Sequence, residues 1–443
     1  MEIKFYNTLS NKIEVFNPIK QGEVSMYVCG PTVYNEPHIG NMRPPVIFDT
    51  FVRFLKYLGN DVKYVSNYTD VDDKIINKAI DEKISEIEIA NRYIASYRNC
   101  LDSLNCLKAY KNPRVTEYIP DIIKYIDNLI NVKAAYVEDG EVYFDVTSVP
   151  NYGCLSNIKL DELDTGSRIA TSENKHSPYD FLLWKKTEKG IKWPTKWCEG
   201  RPGWHTECCV MIDSIFGGHI DIHGGGHDLI FPHHENEIAQ AEATHNNTIA
   251  NYWIHTGMVN INNEKMSKSI GNVILAKDAV AMNGADTVRL LLLNCQYRSV
   301  LNFSDDTIND TKTILEKLNN VWKQLNLKIA QNNGVLQGKS QSMEKFLSAL
   351  ADDLNLPNAI TELLENIKLA NMEIRKKDVD LKVLENYFYT FQDMVYILGL
   401  HNSVKKFSKE DMDLYNEYLE AKKNKDFSKS DILRDDLIKK GII

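Results

Sequence analysis

The sequence predicts an α/β fold: a Rossmann-type parallel-sheet catalytic domain split by an insertion and followed by an α-helical C-terminal region. Three observations predict it. Strand, helix and strand patterns follow one another between Met26 and Asp70. A hairpin pattern breaks the alternation after residue 118, and helical periodicity takes over from about residue 306.

Taken in order, "MYVC" (26–29) is a short strand ending at Cys29, and a Gly-Pro turn follows. Pro37 opens a helix whose apolar face is Ile47, Phe51, Phe54, Leu55 and Leu58, with Gly59-Asn60 as its stop. "VKYVSNYTD" (62–70) is the second strand, so the unit is βαβ, and parallel sheets bind ligands at strand C-terminal ends. Cys29 and Thr69 lie at those ends. "AAYVEDGEVYFDVTS" reads as a hairpin turning at Asp139-Gly140, inside a connective insertion over 119–199. The α/β pattern resumes over 200–255, with "HIDIHGGG" as a strand and "PHHENEIAQAEATH" as a helix. Residues 256–305 form a separate region. In the helical stretch 306–400, Ile314, Leu318, Val321, Trp322 and Leu325 share one face, and 330–342 is a loop. Residues 401–443 mix Lys with Asp and Glu closely, the pattern of solvated helix faces.

A chain of 443 residues exceeds what one core holds. Its 43% hydrophobic and 26% charged content is that of a globular protein, and its net charge of −9 argues against a whole-protein field for nucleic acid. No apolar run approaches a membrane span and the start has no signal pattern. Eight scattered cysteines without secreted-scaffold spacing point to a reducing cytoplasm.

In "FPHHENE" (231–237), Pro232 suits a first helical turn. His233 and Glu237 are then four apart on one face, and His234 with Glu237 is a three-residue alternative. Capping or surface histidines are the plain alternative. With Cys29 and either Cys208 or Cys209, these residues make a zinc shell of soft and borderline ligands. Cys100, Cys106, Cys154, Cys198 and Cys295 read as small buried apolar groups.

Two stretches suit phosphate. His38-Ile39-Gly40 stands at a helix N-terminus, where backbone amides and the dipole favour an anion. "EKMSKS" (264–269) carries Lys265 and Lys268 on a short loop closed by Gly271, able to neutralise a polyphosphate. A capping histidine and a solvated lysine loop are the plain readings of each alone. "HGGGHDL" (223–229) lets a nucleotide approach its backbone, with Asp228 for a ribose hydroxyl. Its spacing is not that of the dinucleotide fingerprint.

In this order, "MYVCGPTVY", "HIGN", "YTDVDDKII", "GRPGWHTEC", "DIHGGGHDLIFPHHENEIAQ", "NYWIHTGMV", "KMSKS", "GADTVRLLLL" and "DDLNLPNA" resemble the class I aminoacyl-tRNA synthetases, and within them the cysteinyl-tRNA synthetases. The match runs over most of the chain. The resemblance implies a zinc ion on Cys29, Cys208, His233 and Glu237 that selects the substrate thiolate. It implies His38 and Asn41 as phosphate-stabilising groups, and Lys268, assisted by Lys265, gripping ATP with its Mg2+. Gly40, Gly224, Gly226 and Asp228 fall in nucleotide-binding elements, and Gly30, Thr32, Thr69, Trp204 and His223 in the amino-acid pocket. Implied partners are L-cysteine, ATP and tRNA(Cys), met by a stem-contact region at 256–305, a helical bundle at 306–400 and an anticodon-recognition segment at 401–443; a monomer is expected.

Three departures stand out. Asn41 replaces the second histidine of His-Ile-Gly-His, His227 stands where the glycine-rich element often has a small residue, and the sequence stops at Gly441-Ile442-Ile443 where relatives commonly carry a short basic tail. The nearest rival is a cysteine:amino-sugar ligase of the mycothiol type, which shares the catalytic motifs but has no use for a long helical extension. A zinc-stabilised RNA-binding protein leaves "KMSKS" and "HIG" unemployed. A zinc hydrolase needs a general base, for which Glu235 is the nearby candidate.

Overall fold

The computed structural model describes residues 1–158, 175–267, 270–332, 340–401, 404 and 407–443. The chain opens with an antiparallel hairpin, β1 (Lys4–Asn7) and β2 (Lys12–Val15). The βαβ unit follows as β3 (Glu23–Val28), α1 (Ile39–Tyr57) and β4 (Asp61–Ser66). Gly59, at φ 91°, turns the chain out of α1, as its position after the last apolar residue predicts. The strand stops four residues short of Asp70: Asn67 to Asp70 leave the ladder to support the site.

Helices α2 (Asp73–Glu82), α3 (Glu86–Ser103) and α4 (Ile119–Asn131) lead to a five-stranded antiparallel sheet. Its strands are β5 (Ala135–Glu138), β6 (Glu141–Phe144), β7 (Phe181–Lys186), β8 (Trp193–Pro194) and β9 (Glu199–Pro202), in the order β5-β6-β7-β9-β8. Asp139 and Gly140 both take positive φ, which gives the two-residue turn between β5 and β6. The sheet is fastened to the first half of the catalytic fold, because Asp73 pairs with both Lys185 (2.8 Å) and Arg201.

After α5 (Glu207–Phe216) come β10 (Ile220–Gly226), α6 (Glu235–His245) and β11 (Ala250–Thr256). β10 and β11 complete a parallel sheet of order β11-β10-β3-β4. The chain builds outward from β3 to β4 on one side and returns to build β10 and β11 on the other. The switch point is therefore the gap between β3 and β10, where open α/β sheets bind ligands. Alternation along β3 sends Val24, Met26 and Val28 into a core with α1 and the helical region, and Tyr27 into a second core with α4 and the insertion.

Next are β12 (Val259–Ile261), β13 (Glu264–Lys265), α7 (Ala276–Asn283), α8 (Ala285–Leu293) and β14 (Leu301–Phe303). The helical region comprises α9 (Asp305–Gln331), α10 (Glu344–Ala351), α11 (Leu356–Ile374) and α12 (Leu381–Leu398). Ser304 caps α9 by accepting from Thr307 N, and Leu318, Val321, Trp322 and Leu325 are buried on the expected face. Of the loop expected at 330–342, residues 333–339 lie outside the described residues. α13 (Lys409–Lys423) and α14 (Phe427–Lys439) pair at the end, with most of their surface exposed. Among the described residues no helix is long and apolar enough to cross a membrane.

Candidate metal and nucleotide site

A cavity of about 390 Å³ opens at the C-terminal ends of the parallel strands. Cys29 and Gly30 line one end; His38, Gly40, Asn41, Gly226, Asp228, Met266 and Ser267 line the rest. Two loops meet there through backbone pairing. Ile39 N donates to Ile274 O (2.9 Å) and Ala276 N to Pro37 O (2.8 Å), which lays the segment after "EKMSKS" along the start of α1. Asn272 closes the lysine loop by accepting from Ser267 N (2.8 Å). Lys265 is exposed and outside the cavity lining, and Lys268 lies outside the described residues.

α1 begins at His38, whose backbone N–H donates to Asn41 Oδ1 (3.0 Å). The amide oxygen of Asn41 thus serves as a cap at the cavity edge, and its NH2 group is not used in that bond. Pro44 and Pro45 lie within α1, a feature that would ordinarily break a helix. They bring no N–H, so the carbonyls of Gly40 and Asn41 have no donor four residues on.

At the Cys29 end, three segments converge to bring four donors together. Cys29 Sγ lies 3.5 Å from Cys208 Sγ and 3.6 Å from Glu237 Oε1, while His233 Nε2 lies 3.8 Å from Cys208 Sγ and 2.9 Å from Glu237 Oε1. All four donor atoms fall within 4.8 Å of one another. A tetrahedral zinc with these ligands has edges of roughly 3.3–3.8 Å, so the donor set fits the ion in size and in chemistry. Cys209 is turned away and donates to the Glu237 carbonyl (3.6 Å). A regular helix begins only at Glu235, later than Pro232 predicts, because Phe231 is extended (φ −134°, ψ 131°). The spiral from His233 to Glu237 still carries both side chains to one point.

The electrostatics are those of a cation site. Burial pushes the Cys29 thiol well up, and the neighbouring Cys208 adds to the shift. Burial also raises Cys208, but the hydrogen bond from Cys29 and the charge of His233 outweigh it and bring the thiol to about 7. Burial lowers His233, yet Glu237 and Cys208 carry it up to about 10. Glu237 stays well below the ordinary carboxylate range despite burial, held there by His223 and His233. The negative charge of the cluster is thus centred on Glu237, with Cys208 the more easily ionised of the two thiols beside it.

A second set, Cys29, His223, His234 and Glu237, also falls within 4.8 Å. It shares two donors with the first, so one ion fills one set or the other. His223 Nε2 is 2.6 Å from Glu237 Oε2, and His234 Nε2 is 3.3 Å from Cys29 Sγ. The first is an ion-pair contact and the second a hydrogen bond, both on candidate ligands, the arrangement usual around a metal shell. His234 Nδ1 continues to His255 Nε2 (2.8 Å) and His255 Nδ1 to Thr8 (2.8 Å). His233 is braced from the other side: its Nδ1 is 3.1 Å from His205 Nδ1 and its ring stacks on Trp204 at 4.2 Å. Sequence reasoning missed His205, His255 and Thr8; the histidines within "GWHTE" and "YWIHTG" were the available signal.

Other expected pocket residues are placed differently. His223 is fully buried and stacked on Trp253 (4.5 Å), so it reaches the site through Glu237. Thr69 is buried and donates to Glu207 Oε2 (2.6 Å), while Thr32 bridges Thr69 by backbone. Gly30 N donates to Asn67 Oδ1 (2.8 Å), and a side chain there would strike the Asn67 carbonyl. A Cβ at Gly224 would lie 2.1 Å from the Phe48 ring, so packing against α1 explains that glycine. Cys100 is buried, and Cys106, Cys154, Cys198 and Cys295 are half-buried.

Glu235, the candidate base of a hydrolase, is otherwise engaged. Its fully buried carboxylate accepts from Gly153 N (2.9 Å), Leu155 N (3.1 Å), Ser156 N (2.8 Å) and Ser156 Oγ (2.7 Å). Glu235→Ala orphans those donors and is expected to destabilise the protein by about 2–4 kcal/mol in urea unfolding, with Glu235→Gln intermediate.

The description "tRNA synthetases class I (C) catalytic domain" matches residues 15–313, and "DALR domain" matches 345–402. Proteins named cysteine–tRNA ligase from Oceanobacillus iheyensis and Bacillus pumilus are each 42% identical over the whole of this chain and 97% of their own length. The chain belongs to the cysteinyl-tRNA synthetase family. The fold is shared more widely. Mycobacterium tuberculosis methionyl-tRNA synthetase in complex with methionyl-adenylate superposes with a TM-score of 0.63 at 13% identity, covering 85% of this chain and 90% of that one. The LeuRS–tRNA–LeuAMS ternary complex from Agrobacterium radiobacter K84 gives 0.60 at 12% identity, covering 88% and 86%.

Proposed function

We propose that the protein activates L-cysteine with ATP to cysteinyl-adenylate and transfers the cysteinyl group to the 3′-terminal adenosine of tRNA(Cys). One observation carries this reading: a four-donor thiolate, imidazole and carboxylate cluster stands at one end of a cavity, and the start of α1, with the segment that follows "EKMSKS" laid against it, stands at the other. The cavity has the polarity of an aminoacyl-adenylate, with a sulfur end and a phosphate end.

Cys29, Cys208, His233 and Glu237 hold zinc in this reading. When bound, zinc supplies a soft Lewis acid that takes a thiolate in preference to a hydroxyl. Cys29, facing the cavity, sets where that preference acts. Gly40 and Asn41 present the α1 N-terminus to the α-phosphate, where the helix dipole and amides stabilise the charge that develops as the carboxylate attacks. His38 and the Asn41 amide add hydrogen bonds there, and in this reading Lys265 and Lys268 of the "EKMSKS" sequence neutralise the departing pyrophosphate. No covalent enzyme intermediate is needed, because positioning and charge stabilisation suffice. The helical region, where the DALR description matches, favours tRNA over an amino sugar as acceptor.

The test is cysteine-dependent ATP–pyrophosphate exchange followed by charging of tRNA(Cys). Exchange without charging would favour the amino-sugar ligase; equal activation of serine by zinc-loaded protein would end the thiolate argument. At Asn41, replacement by Ala is expected to slow activation by about tenfold through loss of a hydrogen bond to charge. Asn41→His is expected to restore the rate and add a pH dependence near the histidine range of about 6.5, read from exchange rates across pH.

A further inference from the structure

Arg43 is among the largest fully buried side chains of the molecule, one turn into α1. Its Nη1 donates to Met258 O (2.8 Å), and its Nη2 to Gln296 O (3.3 Å) and Cys295 Sγ (2.9 Å). Among the described residues it forms no ion pair with a carboxylate, and its Nε has no partner. A buried cation without a counterion is costly, and hydrophobic replacement of such groups is often tolerated. Arg43 is therefore expected to do something an apolar residue cannot.

Its contacts show what. Thr256, Gly257, Met258 and Val259 line the cavity as one wall segment, and His38, Gly40 and Asn41, on the turn before Arg43, line it as another. The Met258 wall is itself laced to the segment behind it: Gly257 N donates to Tyr297 O (2.8 Å) and Leu301 N to Met258 O (2.9 Å). Gly257 admits no side chain, since a Cβ would lie 2.2 Å from Ser299 O. The guanidinium fork reaches across to carbonyls of both laced segments at once. A lysine, with one point of charge, cannot span the two.

We propose that Arg43 is a positioning residue for the nucleotide: it sets the spacing between the α1 wall and the Thr256–Val259 wall, and so the fit of ATP between them. This rests on the reading of the cavity as the activation site. Arg43→Lys is expected to raise the KM for ATP about tenfold in pyrophosphate exchange while the KM for cysteine stays within about twofold. Zinc content, measured by atomic absorption, should match wild type. Equal rises in both constants, or none, overturn the proposal; an inactive wild type would instead overturn the proposed function. Should Arg43→Lys not fold, hydrogen exchange on the wild type decides. ATP must then protect the amides of 256–259 and 295–301 together, and protection of neither segment overturns the proposal.

Discussion

Replacing Cys208 by alanine is expected to lower zinc affinity by about two orders of magnitude, because four ligands share some 10–16 kcal/mol and each contributes roughly 3. Cys208 is almost fully buried and lies 3.5 Å from Cys29 and 3.8 Å from His233, so no water replaces it without disturbing both neighbours. Cysteine activation should fall with the metal, and discrimination against serine should fall further, since the soft ion is what distinguishes sulfur from oxygen. Cys209→Ala is the control. Its thiol points at the His205 and Glu237 carbonyls, and its loss should leave zinc content unchanged. Metal analysis of the two purified variants checks the expectation; equal zinc loss in both would refute the assignment of Cys208. Stripping zinc from the wild type with a chelator should reproduce the Cys208 phenotype, and adding zinc back should reverse it.

Arg289→Met is expected to cost about 3–5 kcal/mol, the range for breaking one side of a buried ion pair. Arg289 is fully buried on α8; it pairs with Asp49 of α1 and donates to Leu398 O (2.7 Å) and Leu104 O (2.6 Å). It thereby ties the helix whose first turn lines the cavity to the end of α12. Gly399 makes room for it, since a Cβ there would lie 2.1 Å from the guanidinium. Asp49 also binds Arg53 (2.8 Å) and Leu107 N (2.7 Å), so the carboxylate keeps partial compensation in the variant. Urea denaturation measures the loss. A change within about 0.5 kcal/mol, the level of an ordinary surface substitution, would show that the network contributes nothing net.

Short-range pattern made much of this architecture legible. Apolar spacing defined α1 and its stop at Gly59, the Asp139-Gly140 pair defined the β5–β6 turn, and the Leu318 to Leu325 stripe defined the buried face of α9. Each depends on residues within a turn or two of one another, where chain geometry fixes the outcome. Pro44 and Pro45 inside α1 went against propensity, because tertiary packing of the helix outweighs the hydrogen bonds lost.

The sequence by itself determined which chemical groups are present, their order, and through the motifs the family to which the chain belongs. Spacing alone left Cys208 against Cys209 and His233 against His234 open; the resemblance implied Cys208 and His233, and the tertiary structure gives the physical reason these groups meet. Cys29 and Cys208 are brought together by the return of the chain to the far side of β3, and adjacent cysteines differ only in the direction their helix gives them. The same holds for the chain from His234 through His255 to Thr8, and for Arg43 between its two cavity walls. These contacts join residues far apart in sequence. Local periodicity carries no information about them, and packing the two cores against one parallel sheet supplies it.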